Sequence, residues 1–268
     1  MKVVVTDLDG TLLNSSHFVS EKNLETLKKI QEEGYEIIFA SGRVSSSVEY
    51  IMKNAGINGY IVANNGALVL DKEKKVVYKQ ALDHEQIEKI LDVVETNGIK
   101  FNMYDKEKYY CNQLDRERVS HLFKYGSDKD YQIDIVVKDD IGNFVKDRNL
   151  DIFKVQMTIP ENVQEDVIKE LSKIDNIYIA KSGKCHVEAM HKSVNKWNGI
   201  EIALKDLGGK VDKIISIGDY ENDLPMIVNA DIGIAMGNAN DKVKSKSDLI
   251  TETNEEDGFS KAINKILF

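Results

Sequence analysis

Cysteine and proline are scarce in this chain of 268 residues, which has two of each. Cys111 and Cys185 stand far apart and outside any C-x-x-C pairing, so neither a disulfide framework nor a cysteine zinc site is indicated and two free thiols are expected. Pro160 and Pro225 mark no proline-rich linker. No apolar stretch approaches the roughly 18 residues of a membrane-spanning helix. A surplus of basic residues is missing too. The net charge is −9, so no global positive field draws a nucleic-acid backbone or an anionic membrane, and neither is expected as a partner. The chain opens Met-Lys-Val without the charged leader and apolar segment of a signal peptide, and a cytoplasmic location is expected. What is present is ordinary for a globular protein: 42% hydrophobic and 30% charged residues, enough for one large domain or two modest ones.

The apolar pattern alternates between strand and helix. Val3-Val4-Val5-Thr6 is a short β-branched run, Ser20 with Leu24, Leu27 and Ile30 gives a capped helix, and Gly34 stops it. Tyr35 to Ala40 and Tyr60 to Ala63 read as further strands around a helix from Val44 to Ala55 that ends at Gly56. This β-α-β-α-β rhythm predicts a Rossmann-like parallel sheet with crossover helices. A hairpin follows, Ala67 to Leu70 and Val76 to Tyr78 around a charged turn. The rhythm breaks near Leu82, where a capped helix at Asp83 leads into strands near Phe101 to Tyr104 and Tyr109 to Cys111. Mixed stretches run over Leu114 to Tyr125 and Ile152 to Leu171, then strands over Ile177 to Ala180 and His186 to Met190. Alternation resumes with a helix from Asn195 to Leu207, a strand from Lys213 to Ile217, a helix from Leu224 to Ala230 and a strand from Ile232 to Ala235. The expected architecture is an α/β core of residues 1–81 and 188–268 with an inserted α/β domain at 82–187.

Two acidic turns stand at strand ends. Asp7-Leu8-Asp9-Gly10-Thr11 follows the first strand, and Gly218-Asp219-Tyr220-Glu221-Asn222-Asp223 follows the strand ending at Ile217. In a parallel sheet such ends share one edge, where α/β proteins place their ligands. Neighbouring carboxylates resist ionising together unless a cation sits between them, and Mg²⁺ is the hard cation suited to such an oxygen set. Each turn alone also reads as a solvated Asp-Gly turn or acidic loop. Other strand ends supply donors. Ser41-Gly42 precedes a helix whose N–H groups would hold phosphate, with Arg43 beside it; the bland alternative is a serine cap with a solvated arginine. Lys196 opens a helix against the dipole preference, and as a lone feature it reads as a surface lysine. Together these groups make a cation site, a phosphate cradle and a carboxylate able to attack phosphorus.

The order Asp7-x-Asp9-Gly10-Thr11, Ser41-Gly42-Arg43, Lys196 and Gly218-Asp219-x-x-Asn222-Asp223 resembles the haloacid dehalogenase superfamily. The insertion between the second and third elements, with Ala235-Met236-Gly237-Asn238-Ala239 and Glu256-Asp257-Gly258, is similar to its Cof-type sugar phosphatases, which carry a class IIB cap. The resemblance implies hydrolysis of small phosphorylated metabolites with Mg²⁺. Asp7 would be the nucleophile and Asp9 the acid and base. The metal would lie on Asp7, the main-chain carbonyl of Asp9 and Asp219, with Asp223 in close support. Ser41, Gly42 and Lys196 would hold the phosphoryl group, Asn222 would reach it or the metal shell, and Arg43 with Asn64-Asn65-Gly66 would face the leaving group. The same machinery also serves a phosphomutase or phosphotransferase, and a non-catalytic phosphate sensor would keep the pocket without turnover. A monomer or small homo-oligomer is expected.

Other groups read as structural. His17, His84, His121, His186 and His191 show no ligand spacing, and His186 with Glu188 on a strand reads as a surface pair before a substrate contact. The aromatics Tyr104, Tyr109, Tyr110 and Tyr125 read as packing, and Lys242-Val243-Lys244-Ser245-Lys246 as a solvated face.

Overall fold

The computed structural model describes residues 1–114 and 134–268. These divide into two compact units, Met1–Lys79 with Asn195–Phe268, and Gln80–Val194.

The first unit begins with β1 (Lys2–Thr6), in which Val3, Val4 and Val5 are all fully buried. A strand apolar on both faces belongs inside a parallel sheet covered by helices on either side. Then come α1 (Glu21–Glu32), β2 (Glu36–Ala40), α2 (Ser45–Ala55) and β3 (Tyr60–Ala63), followed by the antiparallel pair β4 (Leu68–Leu70) and β5 (Val76–Lys79). Local chemistry sets the helix ends. Ser20 Oγ accepts from Asn23 N at 3.2 Å, and Gly34 and Gly56 take φ of 76° and 63°, a left-handed turn that glycine makes without a Cβ clash.

In the second unit, α3 (His84–Thr96) starts at a capping box between Asp83 and Gln86. It precedes β6 (Lys100–Tyr104), β7 (Tyr109–Cys111), β8 (Ile135–Val137), α4 (Ile141–Asp147), β9 (Lys154–Thr158), α5 (Glu161–Leu171), β10 (Ile177–Lys181) and β11 (His186–His191). The strands form one sheet in the order β10-β11-β9-β6-β7-β8. Alternate residues Phe101, Met103, Val155, Met157, Val187 and Ala189 share a core with Ile87, Ile90, Val94, Val167 and Leu171 of the helices. Residues of the opposite parity lie on the other face of the sheet, where the polar Asn102, Lys154 and Glu188 are buried as well. Lys154 Nζ donates to Glu188 Oε1 at 2.8 Å, both side chains being buried, so Glu188 is no surface residue. Continuous pairing of β11 with β9 and β10 also moves the second boundary. Residues 188–191, expected in the core domain, belong to this sheet, and the division falls at Val194. The stretch read from Leu114 to Tyr125, with His121, lies after its first residue outside the described residues.

The chain returns to the first unit with α6 (Lys196–Leu207), β12 (Lys213–Gly218), α7 (Leu224–Asn229), β13 (Ile232–Ala235), α8 (Asp241–Lys244), β14 (Leu249–Ile250) and α9 (Gly258–Leu267). The sheet order is β14-β13-β12-β1-β2-β3-β4-β5, with parallel pairing from β14 to β3. Val3, Val5, Ile38, Ala40 and Val62 share a core with Ile200 and Ala203 of α6 and Met226 of α7. Register then does the positioning: Thr6 lies between Ile217 and Phe39, so the chain leaves β1, β2 and β12 along one edge. Among the described residues no helix is long and apolar enough to cross a membrane.

Candidate active site

At that edge Asp7 follows β1 directly, its backbone N–H donating to Ile217 O at 3.0 Å as though the strand continued. Its side chain is buried and accepts from Lys196 Nζ at 2.6 Å. The same ammonium donates to Asp223 Oδ1 at 2.5 Å. Lys196 is 1% exposed, which excludes the surface-lysine reading and explains a cation at a helix start: two carboxylates outweigh the helix dipole there. Asp223 Oδ2 accepts from the N–H groups of Asp219 (2.9 Å) and Tyr220 (3.0 Å), closing the second acidic turn on itself. Asp219 Oδ1 accepts from Thr11 Oγ1 at 3.1 Å, so the two turns meet.

Three glycines make these approaches possible. A Cβ on Gly10 would stand 2.4 Å from Asp219 Oδ2, and one on Gly66 would stand 2.2 Å from Asn195 O. Gly199, one turn into α6, lies so close to Gly66 that its Cβ would be 2.8 Å from the Gly66 Cα. Backbone against backbone is what brings the first turn of α6, and Lys196 with it, down to the strand ends.

Carboxylate oxygens of Asp7, Asp219 and Asp223 lie within 4.8 Å of one another. Burial pushes Asp7 up to about 7; Lys196 pulls it down, and the charges of Asp223 and Asp9 add to the rise. Burial, then Asp7 and Asp223, push Asp219 up to about 9. Burial by itself would lower the Lys196 ammonium, but Asp223 and Asp7 override it and raise it above its ordinary value. Three carboxyls against one ammonium cannot all ionise together without further positive charge, and their hard oxygen donors are a set that fits a small divalent cation.

The donor side is stitched together by main chain. Ser41 N–H bonds Val62 O at 2.8 Å, Asn65 N–H bonds Ser41 O at 2.9 Å, and Asn64 N–H bonds Arg43 O at 2.9 Å. Asn222 Nδ2 reaches Asn65 Oδ1 at 3.1 Å, joining the second acidic turn to this loop. α2 begins only at Ser45, so Ser41 is not its cap and Ser41-Gly42 lies in the loop ahead of it. Arg43 is neither solvated nor turned outward. It is buried, and its Nε and Nη2 donate to Asp9 Oδ2 at 2.7 Å and Oδ1 at 2.5 Å. Burial works against ionising Asp9, but that guanidinium overrides it and holds the carboxyl well below its usual range. His17, set aside for want of ligand spacing, places Nδ1 3.4 Å from Asp9 Oδ1; nothing local in the sequence marks it.

A model of the haloacid dehalogenase-like hydrolase family matches residues 4–263. This chain belongs to that family. A Bacillus subtilis relative, 5-amino-6-(5-phospho-D-ribitylamino)uracil phosphatase YcsE, is 25% identical over 98% of this chain and 94% of its own. A haloacid dehalogenase-like hydrolase from Bacteroides thetaiotaomicron superposes with a TM-score of 0.84 at 30% identity, covering 99% of each chain. The subclass IIB sugar phosphatase BT4131 has the same fold, with a TM-score of 0.81 at 24% identity over 99% of this chain and 98% of its own. The expected α/β fold and the resemblance to the haloacid dehalogenase superfamily stand, and the chain is a phosphatase of that family.

Proposed function

We propose that this enzyme hydrolyses small phosphate monoesters, sugar phosphates or similar metabolites, through an aspartyl-phosphate on Asp7, with Mg²⁺ as cofactor. The observation that carries the reading is the buried Lys196 ammonium held between the buried Asp7 and Asp223, with the half-buried Asp219 in the same cluster. A carboxylate oriented by an ammonium at a strand end is placed to attack phosphorus, and the ammonium offsets the charge that gathers on the phosphoryl oxygens. Asp7 would form the new O–P bond while the bond to the leaving oxygen breaks. Asp9 would give its proton to that oxygen and afterwards take one from the water that releases phosphate. Mg²⁺ would be held by Asp7, the Asp9 main-chain carbonyl and Asp219, and when bound it neutralises charge on the transferring group. Asp223 supports this set by fixing Lys196 and the Asp219 turn. Ser41, Gly42 and Asn222 would hold the phosphoryl oxygens, and the unit of residues 80–194 would be the cap that selects substrate.

The test is phosphate release from a panel of small phosphate esters, with Mg²⁺ and with EDTA, for wild type and Asp7→Asn. Turnover that needs Mg²⁺ and disappears in a folded Asp7→Asn protein is expected. Wild-type rates in that variant, or full activity in EDTA, would refute the assignment.

A further inference from the structure

Both oxygens of Asp9 are committed to the Arg43 fork. The fork is itself held by neighbouring side chains. Arg43 Nη1 donates to Ser47 Oγ at 3.1 Å, and Nη2 lies 3.2 Å from His17 Nδ1. The His17 ring nitrogen therefore stands at the corner where guanidinium and carboxylate meet.

His17 reaches that corner through an unfavourable backbone, with φ of 63°. A side chain with a Cβ keeps such a conformation only where its surroundings impose it, and here they do. Asn14 Oδ1 accepts from Ser16 N at 3.1 Å and Phe18 N at 3.0 Å, and His17 N donates to Asn14 O at 2.8 Å. Groups from the far end of the chain brace the same turn: Asn254 Nδ2 donates to Leu13 O at 2.9 Å, and Glu255 Oε1 accepts from Ser15 N at 2.6 Å. A turn held from two sides, with a strained residue at its tip aimed at an acidic group, is built to place that residue.

We propose that His17 is a positioning residue for Asp9: its Nδ1 accepts from Arg43 Nη2 and so sets where the guanidinium holds the carboxylate. The proposal rests on the phosphatase reading above. To protonate a leaving oxygen, Asp9 gives up an Arg43 contact and hands over the proton it took from the attacking water of the preceding turnover; the O–H bond on Asp9 breaks, one forms on the leaving oxygen, and Asp9 returns to the fork as the carboxylate that takes the next proton from water. His17 fixes the place it leaves from and returns to.

Two variants separate this role from folding. His17→Gly accepts φ of 63° without strain and removes the imidazole; His17→Asn tolerates the same backbone and puts an amide oxygen near the Nδ1 position. Both are compared with wild type, in Mg²⁺, on an alkyl phosphate, whose leaving oxygen needs a proton, and on dinitrophenyl phosphate, whose leaving group does not. His17→Gly should lower kcat/KM, which reports only the steps through departure of the leaving group, about 10-fold on the alkyl ester and by less than about 2-fold on the dinitrophenyl ester. His17→Asn should restore most of the loss. An unchanged alkyl rate, or equal losses on both esters, would overturn the proposal. A second readout needs no turnover: the Arg43 Nε–H signal in a proton–nitrogen correlation spectrum, assigned with Arg43→Lys. It should be sharp and slow to exchange in wild type and His17→Asn, and broadened in His17→Gly. An identical signal in His17→Gly would also overturn the proposal. A wild-type protein inactive on every ester would sink the hydrolysis reading, while this signal would still decide the position of His17.

Discussion

Stripped of divalent cations, the protein should lose stability steadily as pH rises from about 5 to about 9, and saturating Mg²⁺ should cancel the trend. Asp7 and Asp219 are the cause, pushed by burial and neighbouring charge from 3.8 to about 7 and about 9. A carboxyl whose value is higher folded than unfolded contributes stability that is fully present below the unfolded value. That stability is lost as pH climbs through the folded one. Each unit corresponds to about 1.4 kcal/mol, so the Asp7 shift is worth about 4 kcal/mol, of which roughly 3 is lost above about pH 5. At about 2 to 4 °C per kcal/mol this lowers the melting temperature by roughly 6 to 12 °C, and Asp219 adds in the same direction. The other shifted groups at the site are silent in this window. Asp9, held low by Arg43 against the effect of burial, loses its contribution only in acid. Lys196, held high by Asp223 and Asp7 against the effect of burial, loses its own only above 10.5. The assay is a set of thermal melts across the pH range in EDTA and in Mg²⁺, for wild type and Asp7→Asn. A melting temperature in EDTA that stays flat or rises, or a slope indifferent to both Mg²⁺ and Asp7→Asn, would refute the reasoning.

Lys196→Met should cut kcat at least about 100-fold in Mg²⁺, because it removes the ammonium shared by Asp7 and Asp223; near wild-type phosphate release would place the phosphoryl donor elsewhere. Gly66→Ala should cost about 2 kcal/mol or more in urea unfolding and lower kcat, since its Cβ would stand 2.2 Å from Asn195 O and push the start of α6 away; an unchanged midpoint and rate would show that the loop yields freely. In the second unit, Lys154→Met should cost about 3–5 kcal/mol by removing the ammonium that faces the buried Glu188 carboxylate, whereas Lys154→Met with Glu188→Leu should recover most of it; a double variant as unstable as the single one would mean the pair matters for more than its charge.

The sequence by itself determined what depends on near neighbours. Strand against helix was legible in Val3-Val4-Val5 and Ile214-Ile215-Ser216-Ile217, and helix ends in Ser20, Gly34 and Gly56, because periodicity and caps act within a few residues. The short helix α4, the two-residue strand β14 and the helix α9 went unread, since such brief or terminal segments draw their stability from tertiary packing. Acidic turns at strand ends pointed to one edge, because parallel strands must end together. Tertiary structure alone decided which atoms meet there. Lys196 and Asp7 lie 189 positions apart, and no local signal tells a buried lysine from a solvated one; the close approach of Gly66 and Gly199 decides it. Arg43 turning to Asp9, Glu188 turning to Lys154 and His17 standing beside the Arg43 fork are likewise choices among side-chain directions that chain spacing leaves open. They are settled only when the backbone on both sides of each contact is in place.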